Sequence, residues 1–307
     1  MKGFQLISRL IRFGKPLLIV LLFLFVTISC STLSDRTILS DAYYNLGNSE
    51  LDKGNNQEAE KYYFTALSYN SDNRSVSYNL AIVYTLNGKF TAAENLLDIL
   101  LLDDPDNVII LNAIAWNMYK SGDLNKAVEI YESVLSNNPA YDELRKNCIR
   151  VYLEVGDFDR ASQHIDFLIE NSSLDSETLF LQGEWLFLQN NPEAEDWYIA
   201  SLEKDSSNSV AENTLKEILH TLSEEKSIRE LYEKLDAAGV LSPNLIYEFS
   251  LHLLTLEELS GYDYFREAVL LGFDVTQVTK SDTSTLSDPI KKEFLHLLGE
   301  EFVGKYK

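Results

Sequence analysis

The sequence predicts an all-α protein, a solenoid of antiparallel helix pairs closed by a helical C-terminal cap. Two matching periodicities and one pattern of termination carry that expectation. Glycines fall 34 residues apart at Gly54, Gly88, Gly122 and Gly156, and an alanine follows each by five residues, at Ala59, Ala93, Ala127 and Ala161. Glycine fills 13 of 307 positions, so an interval held three times in succession marks a repeating supersecondary unit. Proline closes two of the periods, at Pro105 and Pro139, where its missing N–H stops one helix before the next begins. An array of such pairs offers an extended surface to another chain, so the expected task is binding rather than catalysis.

The first 29 residues read as an export signal. Lys2, Arg9, Arg12 and Lys15 form a basic start without an acid, and the apolar run from Leu17 to Ile28 follows. That run is shorter than the roughly 20 residues a spanning helix needs and suits a signal-peptide core. It ends in Thr27-Ile28-Ser29-Cys30, which resembles the lipobox of bacterial lipoproteins; Thr27 stands where an aliphatic residue is usual. The resemblance implies a diacylated Cys30 as the new N-terminus, and two acyl chains anchor stably where one does not. An uncleaved anchor with an incidental cysteine is the other reading. With Cys30 lipidated only Cys148 remains, so no intramolecular disulfide is expected, and Cys148 reads as a small buried hydrophobe.

Residues 30–39 are short and polar and read as a tether. From there, 34-residue frames run over 40–73, 74–107, 108–141, 142–175 and 176–209. Position 8 of the frame is small in Gly47, Ala81, Ala115 and Gly183; position 4 is large in Tyr43, Leu111 and Leu179; position 24 is aromatic in Tyr63 and Tyr131. This pattern resembles the tetratricopeptide repeat over about two-thirds of the chain, and the resemblance implies a right-handed superhelix. Glycine at position 15 permits the positive φ that ends the first helix of each pair. Small residues at positions 8 and 20 are expected to let the two backbones approach. Ile149 replaces the small residue in the fourth frame, and Asn190, which tolerates left-handed backbone, replaces glycine in the fifth. That fifth frame is one residue short around Asn190-Asn191-Pro192.

Residues 210–275 read as degenerate helices of the same kind. Val210–Leu222 and Ile228–Ala238 form two, Leu245–Leu259 a third, and Gly261 with Phe265 and Ala268 a fourth. Residues 276–307 comprise a loop rich in Ser, Thr and Asp over Thr276–Leu286 and then a final helix. Asp288-Pro289 offers its N-cap and first helical residue, and Ile290, Phe294, Leu297 and Leu298 its apolar face, as the terminus of a stack requires.

The tetratricopeptide resemblance implies that the first helix of each pair lines a concave groove. Carried over frame by frame, the lining is Tyr44, Asn48 and Leu51; Tyr78, Ile82 and Thr85; Asn112, Trp116 and Tyr119; Lys146 and Arg150; Phe180, Glu184 and Phe187. Aromatics with arginine on a water-facing side are typical of binding hot spots; the same stripe also fits an ordinary core. Lys146 and Arg150, four apart on one face, suit a carboxylate ligand, and Glu143 and Glu154 are near enough to neutralise them instead. Tyr78 and Ile82 stand where the family's chaperone-tail clamp wants lysine and asparagine, which argues against that ligand.

Composition narrows the partner. The chain carries 26 basic and 48 acidic residues, a formal −22, and loss of residues 1–29 removes four basic residues to leave −26. Such a surface repels nucleic acid and anionic headgroups. His164, His220, His252 and His296 lack zinc spacing, and no phosphate loop or nucleophile elbow is present, so neither enzyme activity, metal nor cofactor is expected. The expected role is a lipid-anchored scaffold facing the periplasm, in either membrane, that binds envelope proteins. It resembles the tetratricopeptide lipoproteins of outer-membrane barrel assembly, pilus biogenesis and peptidoglycan-enzyme recruitment. The alternative is a transport component resembling the tetratricopeptide lipoproteins that accompany periplasmic binding proteins of TRAP-type transporters.

Overall fold

The computed structural model describes residues 36–171 and 174–305. The signal segment 1–29, Cys30 and the tether up to residue 35 lie outside the described residues. Among the described residues there is no strand, and no helix is long and apolar enough to cross a membrane. The described residues form two compact units that divide between Val151 and Tyr152, within one helix.

The first unit holds α1 (residues 36–52), α2 (Asn56–Tyr69), α3 (Arg74–Leu86), α4 (Phe90–Asp103), α5 (Val108–Ser121), α6 (Leu124–Asn137) and most of α7 (Asp142–Val155). Each helix from α2 to α5 packs on the next in sequence. The turns within pairs follow the glycine period: φ is 75° at Gly54, 73° at Gly88 and 89° at Gly122. A Cβ at any of these would meet nothing within 4 Å, so glycine is present for its left-handed backbone and not for space. Asparagines at the end of the frame start the next pair. Asn73 accepts from the Val76 N–H at 3.3 Å, and Asn107 from those of Ile109 and Ile110 at 3.1 and 3.2 Å, satisfying donors the first helical turn leaves open.

Position 8 is small for a reason the frame alone does not disclose. A Cβ on Gly47 would lie 2.5 Å from the ring of Tyr63, so the site is vacated for the aromatic at position 24 rather than for backbone approach. The second unit repeats the arrangement, with a Gly183 Cβ falling 2.7 Å from the Tyr198 ring. In the fourth frame, where position 8 is Ile149, position 24 is Ile165 instead of an aromatic.

The second unit continues with α8 (Phe158–Asn171), α9 (Ser176–Phe187), α10 (Ala194–Lys204), α11 (Ser209–Thr221), α12 (Glu225–Ala237), α13 (Pro243–Thr255), α14 (Gly261–Leu270) and α15 (Asp288–Lys305). Gly156 has φ 75° and Asn190 φ 56°, so the asparagine performs the glycine's turn. Backbones do approach closely at Gly261, where a Cβ would stand 2.7 Å from the Ser250 carbonyl oxygen. The final helix closes an apolar cluster: Phe294 is fully buried, its ring 4.8 Å from that of Phe265.

Several details differ from expectation. Residues 36–39, assigned to the tether, are already helical, because the Arg36 guanidinium donates to the carbonyls of Ser68 and Tyr69 at 3.2 and 3.1 Å. Helix α13 ends at Thr255, four residues before Leu259, where Glu257 turns left-handed at φ 62°. The loop before α15 is partly interior: Thr283 and Leu286 are buried, and the Tyr247 hydroxyl donates to Asp282 at 3.0 Å. Helix α15 starts at Asp288 rather than after it, with the Ser287 carbonyl accepting from the Lys291 N–H at 2.8 Å.

Candidate functional site

In the first unit the first helices of successive pairs, α1, α3, α5 and α7, carry the expected groove residues. Tyr44, Tyr78, Asn112, Trp116 and Tyr119 are all half-buried, as amphipathic rings at a solvent boundary should be. Tyr44 and Tyr78 come together in an open cleft of about 340 Å³, which Asn79, Arg74, Asn107 and Ile109 also line. Ile109 is 62% exposed, so the cleft presents apolar surface to solvent. Burial raises the Tyr78 phenol above its ordinary value.

Amide side chains link these helices. Asn79 donates to the Tyr44 hydroxyl at 3.3 Å and to Asn48 at 2.9 Å; Asn48 also accepts from the Tyr63 hydroxyl at 2.7 Å. Two frames on, Asn147 donates to Asn112 at 3.1 Å and accepts from Arg150 at 3.1 Å. Asn79 and Asn147 both occupy frame position 6, 68 residues apart. That doubled period was a readable signal for residues the groove prediction missed.

The basic pair is not equivalent in its two members. Lys146 is buried, and its ammonium donates to Glu143 at 2.8 Å. Local ion pairing thus engages Lys146, while Arg150 stays half-buried. Thr85, also expected in the groove, is buried and donates to Asn117 at 2.8 Å.

In the second unit Phe180, Glu184 and Phe187 gather around one ring. The Phe180 and Phe187 centroids lie 5.6 and 6.4 Å from that of Tyr198, and the Tyr198 hydroxyl donates to Glu184 at 2.7 Å. Phe187 is 40% exposed. Burial, opposed by the tyrosine hydrogen bond and helped by the charge of Glu217, holds the Glu184 carboxyl above the usual carboxylate range. The histidines, isolated in sequence, are not all isolated in space. His220 and His252 meet edge to face at 5.2 Å, and His252, buried, donates through Nε2 to the Leu222 carbonyl at 2.6 Å, a packing role.

Helix pairs turned by left-handed glycines and packed through a small residue against an aromatic define a repeat solenoid. Residues 50–116 and 118–172 match the family model of the tetratricopeptide repeat. Among characterised proteins, the chain is 29% identical over 136 residues to human protein O-mannosyl-transferase TMTC3, a match spanning 43% of this chain and 15% of that protein. A thermophilic TPR protein of Thermus thermophilus superposes with a TM-score of 0.50 at 17% identity, over 66% of this chain and all of that one. The human IFIT1 dimer with PPP-AAAA also reaches 0.50, at 19% identity, over 76% of this chain and 55% of that one. These likenesses show the fold, which fits a protein-binding scaffold.

Proposed function

We propose that the protein is a non-enzymatic, lipid-anchored scaffold of a bacterial envelope, facing the periplasm and binding other envelope proteins along the first helices of its repeats. The observation that carries this reading is the open cleft where Tyr44, Tyr78 and Asn79 meet the exposed Ile109. Apolar surface beside amide donors suits an extended segment, whose main chain needs hydrogen bonds and whose side chains need pockets. Anchoring rests on the Cys30 context and on the acidic composition, which leaves lipid rather than a basic patch to hold the membrane.

Site-specific photo-cross-linking from position 116 in the native envelope tests the groove. A single protein adduct is expected. No adduct from an exported, folded chain overturns the groove and favours a ligand-carrying transport subunit. The folded double variant Trp116→Ala, Phe180→Ala should lose stable capture of that partner, since aromatic anchors each contribute about 2 kcal/mol or more. Cys30→Ser should move the protein from the membrane to the soluble fraction; unchanged sedimentation with membranes would refute acyl anchoring.

A further inference from the structure

The charge of this chain is segregated. Residues 1–151 contain 17 acidic and 14 basic residues, whereas residues 152–307 contain 31 acidic and 12 basic, a formal −19 of the total −22. Within the second unit the cations are placed unevenly too. Arg160, Lys204, Lys226, Arg229, Lys234 and Arg266 all lie on α8, α10, α12 and α14. The first helices of its pairs, α9, α11 and α13, hold one basic residue among them other than histidine, Lys216, and Glu212 occupies it at 2.8 Å.

Two carboxylates on that side stand in a different state. Glu184 accepts the Tyr198 hydroxyl, and Glu217 on α11 is exposed; neither meets a cation among the described residues. The charge of Glu217 adds to burial in disfavouring ionisation of Glu184. Phe180 and Phe187 bracket Glu184 at i−4 and i+3, the spacing that shares one helix face. Both rings reach Tyr198, and Phe187 remains substantially open to solvent. A carboxylate between partly exposed aromatic rings, with a second carboxylate on the next first helix, matches a cation carried on an apolar stem. The oxygens take the charge while the ring faces attract it and cover the methylenes.

We infer that the α9–α11 face binds an arginine or lysine side chain of an extended, basic protein segment, with Glu184 and Glu217 holding the charge and Phe180 and Phe187 the stem. This rests on the groove reading and adds the chemistry of the occupant. The complementarity is of sign: the unit at −19 draws a basic segment in, and a face whose one lysine is already paired with Glu212 gives it a fixed point.

The test is fluorescence anisotropy of the full chain with a labelled peptide of about nine residues, alternating arginine and alanine, at about 0.1 M salt, where exposed charges still act over roughly 10 Å. Glu184→Gln preserves the acceptor for Tyr198, and Glu217→Gln changes an exposed side chain; each should weaken binding by about threefold to tenfold. Glu203→Gln, which removes the same charge from exposed surface on α10, should change it less than about twofold. Spermine should compete poorly, lacking a backbone to lie along the groove. Equal losses from all three variants would mean diffuse attraction and overturn the inference, as would a wild-type chain that ignores the peptide or binds spermine as tightly. The adduct from position 116 decides the groove reading separately, so failure here with that adduct present discards only the cationic occupant.

Discussion

At the scale of single residues, the tyrosine at position 24 shows how one repeat position acquires different energetics. The Tyr63 hydroxyl donates to Asn48 and that of Tyr198 to Glu184, both at 2.7 Å. Tyr131 is as deeply buried, yet its hydroxyl finds no hydrogen-bond partner among the described residues; position 9 of its frame is Trp116, whose indole only donates. Tyr63→Phe should therefore cost about 1 kcal/mol, while Tyr131→Phe should be neutral or stabilising, because a buried unpaired hydroxyl is removed. Urea unfolding of the two variants checks this, and a larger loss for Tyr131→Phe would refute it. Glu184 adds a pH dependence. Its folded pKa is raised from 4.5, chiefly by burial, so the native state binds the proton more tightly than the unfolded chain. Its contribution to stability is then complete below the unfolded value of 4.5 and is lost as pH rises through the folded pKa. Glu184→Gln should be the more stable protein at about pH 7.5, with the difference closing by about pH 4.5. Urea midpoints that diverge on acidification would contradict the assignment.

At the scale of elements, the turn glycines and the packing glycines fail in different ways. Gly88 sits at φ 73° with open space where a Cβ would be, so Gly88→Ala should cost about 1 kcal/mol, the left-handed penalty alone. Gly47 is helical, and its Cβ would stand 2.5 Å from a buried tyrosine ring. Gly47→Ala should cost more, about 1–3 kcal/mol, because an overpacked ring has to move. The double variant Gly47→Ala, Tyr63→Leu should regain part of that loss, consistent with Ile149 and Ile165 occurring together in the fourth frame. Melting the three variants side by side decides it; no recovery in the double variant would mean that position 8 is small for some other reason. Most helix positions were legible because the 34-residue period fixes where turns fall. The caps were also legible and were missed: Asn73, Asn107 and Asp175 all close their frames and all accept an N–H of the helix that follows. Helix α13 ended early because Glu257 adopts positive φ, which is unusual for glutamate and has no sequence signal.

For the whole molecule, net charge sets the response to salt. With −22 formal charges, 19 of them from residues 152–307, like-charge repulsion opposes compaction more than the surface ion pairs assist it. Raising sodium chloride from about 0.02 to about 0.5 M, where the screening length falls to a few ångströms, should raise the thermal midpoint by a few degrees. A midpoint that falls would show that pairs such as Lys89–Glu60 at 2.6 Å outweigh the repulsion. Tyr44, Tyr78, Phe180, Glu184 and Phe187 all fall on partly open surface, as periodicity along the first helices leads one to expect. The chemistry of these helices was less legible. In sequence Lys146 suits a carboxylate ligand or local pairing with Glu143 equally well; the structure takes the second, with Lys146 buried and bonded to Glu143, and a burial of that kind depends on how deeply a helix sits in its neighbours.

By itself, the sequence determined the fold class, the repeat length and the turn at each period, because glycine conformation and helical periodicity are local properties written in single residues. Tertiary structure alone decided which polar groups find partners. Asn79 reaches Asn48 across 31 positions, Tyr198 reaches Glu184 across 14, and Tyr131 reaches none among the described residues. Hydrogen-bond satisfaction depends on distances of a few tenths of an ångström between helices, and no spacing along the chain encodes those.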